Sequence, residues 1–164
     1  MTTGSVQKKL KLDRIDRKIL NDLQGNGRIT NVELAGNAGI SAPPCLRRVR
    51  ALEDHKIVLG YHANLNAPKL GYGVTAFTTV RLKDQSEKDQ ADFEKELEKW
   101  DMVREAYGIA GDYDYMLRIV AKDWEDYQAF ISNKVLKIEN VASVRSAMTL
   151  KTCKFQPGVP LAVD

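Results

Sequence analysis

The stretch GISAPPCLRRVRALED, residues 39–54, decides how the chain reads. Its second half is a predicted helix, because Cys45, Val49 and Leu52 recur at helical spacing on one apolar face. With Ser41 as N-cap, Ala42, Pro43 and Pro44 fall in the first turn. The N–H groups there lack intrahelical partners, so proline removes little and presets φ. At about 100° per residue, Arg47 and Arg50 point away from the apolar face, and Arg48 lies on its flank. Upstream, TNVELAGNAG (30–39) opens with a capping box, Thr30 and Glu33, and offers Val32, Leu34, Ala35 and Ala38 as its apolar side. Further upstream, LDRIDRKILNDLQ (12–24) repeats Leu12, Ile15, Ile19, Leu20 and Leu23 at helical spacing, with Asp13 as N-cap and Gly25 and Gly27 as the stop. A short helix, a glycine turn and a second helix with a basic outer face form a helix-turn-helix signature.

Such a second helix enters a DNA major groove. Arginine there binds guanine O6 and N7 or pairs with phosphate, which makes Arg47, Arg48 and Arg50 candidate contacts. Ser41 and Pro43, at the turn nearest the duplex, join them, and Arg28, Thr30 and Asn31 are weaker phosphate candidates. Because arginine is also a good helix former, a solvated face is the competing reading.

Charge supports the DNA reading. Residues 1–66 hold 11 Lys+Arg against 6 Asp+Glu, whereas residues 67–164 hold 14 against 16. Of the aromatic residues only Tyr61 lies in the first part. A small basic unit suited to a polyanion therefore precedes a near-neutral unit with the larger core. The 43% hydrophobic and 29% charged composition is that of a globular protein. No run of eighteen apolar residues occurs and the first residues lack a signal-peptide core, so no membrane association and a cytoplasmic, nucleoid-associated location are expected. Cys45 and Cys153 are read as reduced thiols, and His55 and His62, without companions, as surface or packing residues.

IVLGYHANLN (57–66) reads as a strand leaving the helical unit, and APKLGYG (67–73) as a hinge. Then follow a strand at 74–83, predicted to be covered on both sides, and a helix at 86–100 burying Ala91, Phe93, Leu97 and Trp100. Strands at 102–111 and 114–122, a helix at 123–138 and a last strand at 141–154 complete the chain. The order β-α-β-β-α-β is the ferredoxin-like sandwich, with two helices on one face of an antiparallel sheet. Its other face, holding apolar or aromatic side chains, predicts self-association. GDYDY (111–115) has two readings: a plain hairpin, or a loop whose carboxylates and glycine N–H groups hold a free amino acid.

No catalytic constellation, cofactor motif or metal-ligand cluster appears, so no enzyme and no cofactor are expected. RNA binding on the sheet by Phe77 and Tyr107 is a second reading, but the flanking strands lack aromatics and the basic charge lies elsewhere.

LDRIDRKILNDLQGNGRITNVELAGNAGIS, PCLRRVRALE and GDYDY together resemble the Lrp/AsnC family of regulators, over nearly the whole chain. The resemblance implies an α+β protein with a winged helix-turn-helix domain at 12–60, a linker at 61–73 and a ferredoxin-like domain at 74–156 that binds effector and oligomerises. Tails flank these at 1–11 and 157–164. It implies double-stranded DNA as partner, homodimers assembling to tetramers or octamers, and a small amino acid such as leucine, methionine or alanine as effector. Gly111, Asp112 and Asp114 match the effector loop, and Tyr107, Trp124, Met148 and Thr149 fall at positions linked to effector contact or response. Ala42 and Pro43 depart from the S-P-T-P-C pattern of close relatives, and Arg47 stands where these often have Glu, which implies a different operator preference.

Overall fold

A computed structural model describes residues 11–162, so the expected tail at 1–11 lies almost wholly outside the described residues. The chain divides into two units, one of residues up to Asn64 together with Phe155 onwards, the other Leu65–Lys154.

Among the described residues, the first unit holds three helices, α1 (Arg14–Gly25), α2 (Asn31–Ala38) and α3 (Ala42–Asp54). Each starts where the sequence places its cap. Asp13 and Asp16 form a capping box on α1, and Thr30 and Glu33 form one on α2. Gly39 ends α2 at φ 73°, a left-handed turn that an L side chain adopts only with strain. Ser41 takes the N-cap position of α3, but its side chain makes no capping bond. The core is Ile19, Leu20, Leu34, Ala35, Ala38, Cys45 and Leu52. Val32, expected inside, is 73% exposed.

Residues 57–66 form no strand; Ile57 and Val58 instead close the end of α3 through N–H bonds to the Leu52 carbonyl. The β-branched residues there are used for packing against the helices rather than for a ladder. The expected tail also changes its place. Leu161 packs against the first core, and the chain from Phe155 belongs to the helical unit. The expected boundary at 156 therefore falls at 154, and the expected hinge at 61–73 is shared between the units.

The second unit contains β1 (Val74–Leu82), α4 (Glu87–Leu97), β2 (Val103–Gly108), β3 (Tyr115–Ala121), α5 (Trp124–Asn133) and β4 (Val141–Met148). The antiparallel sheet has the order β2-β3-β1-β4. The element types match the sequence reading, with earlier ends. The second helix stops at Asn133 and yields to a 3-10 turn at Val135–Lys137, and the last strand stops at Met148 rather than 154. Ala76, Thr78, Val80 and Leu82 alternate inward against Leu117, Ile119, Phe93 and Phe130. Covering on both sides does not hold within the chain, for Phe77 on the opposite face is 43% exposed. Ala91, expected inside α4, is exposed as well.

Candidate nucleic-acid interface and ligand site

Two prolines in the first turn leave α3 few free N–H donors there, and its outer side presents Pro43, Leu46, Arg47, Arg50 and Asp54 around a shallow depression. Arg47 and Arg50 are exposed and form no ion pair among the described residues. Ser41, Pro43 and Arg28 are exposed too.

Arg48 does not join them. Its Nη1 donates to Asp16 Oδ1 at 2.7 Å and to Asp13 Oδ2 at 2.8 Å. Asp16 is only 8% exposed, so the pair joins α3 to the start of α1 in a partly desolvated place. The bond to Asp16 holds the guanidinium even more firmly protonated, and the Asp16 backbone N–H holds the Asp13 carboxyl below its ordinary value. Expected as a DNA contact, Arg48 is engaged within the fold, because its flank position on α3 faces α1. Two weaker candidates are also occupied. The Thr30 hydroxyl donates to Glu33 at 2.7 Å, and Asn31 Nδ2 donates to the Ala42 carbonyl at 3.0 Å, tying α2 to the start of α3.

In the second unit the ligand candidates separate into two groups. Gly111, at φ 137°, and the exposed Asp112 form the β2–β3 turn. Asp114 is not free there: its Oδ2 accepts the Leu82 N–H at 2.7 Å, where the β1 register shifts. That bond satisfies a donor the ladder leaves unpaired, so Asp114 acts as a hairpin clasp where an ammonium acceptor was one expectation. Tyr107 lies on the face away from the helices, 54% exposed, with its hydroxyl donating to Glu105 at 2.9 Å. Arg118 pairs with Glu105 at 2.7 Å and lowers its pKa.

Trp124, Met148 and Thr149 lie at the other end of the sheet. Met148 pairs in register with Ala76, and the Thr149 N–H donates to the Thr75 carbonyl at 2.9 Å. Trp124, half-exposed, leans on Tyr127 with ring centres 5.7 Å apart. Thr75 and Leu82 mark the two ends of β1, roughly 20 Å apart at the usual rise of a strand. Within one chain the two groups do not meet. Sequence spacing did not reveal this, because the register of β1 with β3 and β4 decides which end each loop occupies.

Residues 12–58 match the family described as "Winged helix-turn-helix DNA-binding", and residues 75–159 match "Lrp/AsnC ligand binding domain". A leucine-responsive regulatory protein of Rhizobium meliloti is 47% identical over 89% of this chain and 94% of its own. The chain belongs to the Lrp/AsnC family. A Bkd operon transcriptional regulator of Pseudomonas aeruginosa is 40% identical over 92% of this chain and 98% of its own. Among solved structures, a transcriptional regulator of Neisseria meningitidis in complex with L-Met superposes with a TM-score of 0.88 at 35% identity, covering 92% of this chain and 97% of that one. An AsnC family regulator of Agrobacterium tumefaciens gives 0.85 at 33%, covering 92% and 97%. The protein is thus an Lrp/AsnC-type transcriptional regulator with a helix-turn-helix unit for DNA and a ligand-binding unit, and not an enzyme. No helix among the described residues is long and apolar enough to cross a membrane.

Proposed function

We propose that this regulator reads its operator through Arg47 and Arg50 and answers to a small amino acid held by its second unit. The outward, unpaired guanidinium groups of α3 carry the first part of the reading. They stand beside exposed Ser41 and Pro43, with Arg28 at the entry to α2. In that role an arginine donates two hydrogen bonds to guanine, or one charge to phosphate.

The L-Met complex of the Neisseria relative supports an amino acid as effector; leucine, methionine and alanine are the candidates. Glycine and carboxylate groups at Gly111 and Asp112 suit the ammonium and carboxylate of such a ligand. A site using both groups of candidate residues needs a second copy of the chain, since one sheet holds them apart. The exposed Phe77 and Tyr107 face gives a copy apolar surface to cover. In this reading a cytoplasmic dimer presents two α3 helices to half-sites about 10 bp apart or a multiple of that. Dimers assemble further to tetramers or octamers, and the amino acid shifts assembly by preferring one form.

Selection of bound fragments from random duplex DNA, with and without an amino-acid mixture, tests the reading. Enrichment of paired half-sites is expected, changed by the amino acids; uniform recovery of all fragments would sink it. On a selected fragment, Arg47→Ala or Arg50→Ala should cost about 1–3 kcal/mol of specific affinity and less on random DNA. Sedimentation with each amino acid reports the assembly step.

A further inference from the structure

Residues 158–161 are bound to the DNA-binding unit, not to the unit that precedes them. The Val159 N–H donates to Gln24 Oε1 at 2.6 Å, and Asn21 Nδ2 donates to the Leu161 carbonyl at 3.4 Å. Gln24 Nε2 in turn donates to Asn21 Oδ1 at 3.4 Å, so two neighbouring α1 side chains form one clasp. Gly158 makes the approach possible. Its φ is 93°, and a Cβ there would stand 2.1 Å from Gln24 Oε1. Only glycine adopts this backbone and leaves the carboxamide in place.

The strap is lightly held. Val159 is 62% exposed, and Leu161 alone reaches the core. Beside the strap lies a cleft of about 370 Å3 lined by Leu12, Leu20, Leu23, Ile57 and Tyr61, so the strap has room to shift, unlike the close-packed interior. Few buried contacts and exposed hydrogen bonds mark a segment that opens at low cost.

Its origin matters as much as its seat. The chain passes between the units twice, at 64–65 and at 154–155. In the second unit these two paths begin side by side, at Thr75 and Thr149, joined by their backbone bond at 2.9 Å. Trp124, Met148 and Thr149 lie at this same end of the sheet.

We propose that residues 155–161 are the output strap of the regulator: a ligand bound near Met148 and Thr149 changes the seating of the strap on Asn21 and Gln24, and so the behaviour of the helix-turn-helix. This rests on the amino-acid reading above. The strap is a lightly held segment that follows the candidate ligand end after the exposed residues 150–154, and a coupling between sites needs an element that both can bias.

The experiment uses the full chain, as wild type, Gln24→Ala and Gly158→Val, on a DNA fragment selected as above. Calorimetry gives the affinity for methionine, leucine and alanine, and DNA titrations give the fold-change each produces. Gln24→Ala removes the Val159 bond and the link to Asn21, leaving only the long Asn21–Leu161 bond, without touching α3 or the second unit, and retained far-UV dichroism confirms folding. Expected are unchanged amino-acid affinity, DNA affinity within about twofold of wild type without ligand, and a ligand-induced fold-change that collapses towards one. Wild-type fold-changes kept by both variants would overturn the strap and leave the amino-acid reading intact. A wild type that binds none of the three, or binds without any change in DNA affinity, would overturn both.

Discussion

The two units are built on different chemistry. Among the described residues, the ligand-binding unit buries thirteen residues in one cluster, with Phe93, Trp100, Tyr115, Tyr127 and Phe130 among them. Their rings meet edge-on or tilted: Phe93 lies 4.8 Å from Tyr115, and Trp100 lies 5.3 Å from Phe130. Burial pushes the Tyr115 hydroxyl up to about 12, with its bond to Glu94 adding to the effect. Among the described residues, the DNA-binding unit buries seven hydrophobic residues in its cluster and no aromatic ring. What it lacks in apolar area it supplements with capping boxes, the Arg48 clamp and the strap. The contrast teaches why the first unit keeps charge inside its fold. A small core gains less from burial, so polar ties carry a larger share of its stability.

The contrast can be broken most directly at Phe93. Phe93→Ala should cost the second unit about 3–5 kcal/mol through lost burial and a cavity. Urea unfolding followed by tryptophan emission checks this, since Trp100 and Trp124 both lie in that unit. If helix loss followed the same curve, the units would be one cooperative body and the distinction would fail.

Arg48→Ala comes next. It strands the nearly buried Asp16 carboxylate, and should cost the first unit about 1–3 kcal/mol, less than a fully buried pair because Arg48 is 31% exposed. Acid should act in the same direction. Asp13 is held below its ordinary value, so its contribution is complete above about 3.8 and is lost as pH falls below that through the folded value. Acid titration by circular dichroism should show helix loss in this range reduced in Asp13→Asn. An identical profile would remove the Asp13 carboxylate from the account and leave the Arg48–Asp16 bond to be tested by Arg48→Ala alone.

Tyr127→Phe probes a polar tie within the aromatic core. The hydroxyl bonds Thr78 at 2.9 Å and donates to Ser146, linking α5 to β1 and β4. Its loss leaves the buried Thr78 hydroxyl without that partner, at about 1–2 kcal/mol by chemical denaturation. A null result would mean that the second unit draws nothing from this buried polar tie, sharpening the contrast further.

The smallest effect belongs to Arg47→Ala and Arg50→Ala. Both side chains project to solvent, so stability should change by about 0.5 kcal/mol or less even where DNA binding falls. A larger loss in thermal unfolding would place them with Arg48 as parts of the fold.

Much of this was legible in the sequence where the signal is local. Asp13, Thr30, Ser86 and Asp123 each mark a helix start, because a cap acts within three residues of itself, while Ser41 holds the N-cap position without a capping bond. The seam Cys45–Val49–Leu52 was legible for the same reason, since period and burial go together. The misreadings are all non-local. Val32 and Ile57–Asn66 have the right residue types for burial or a strand, but their partners decide their fate.

Apart from the strand expected at 57–66, sequence alone determined the helices and strands, their order and the outward side of α3, because these follow from spacing along a helix or strand. Tertiary structure decided that Arg48 turns to Asp13 and Asp16, that Asp114 clasps Leu82, and that residues 158–161 return to α1. The Arg48 partners lie more than thirty residues away, and Gln24 and Val159 are 135 apart. Charge and hydrogen-bonding capacity are written in a residue, but which opposite group comes within 3 Å is set only when the cores pack.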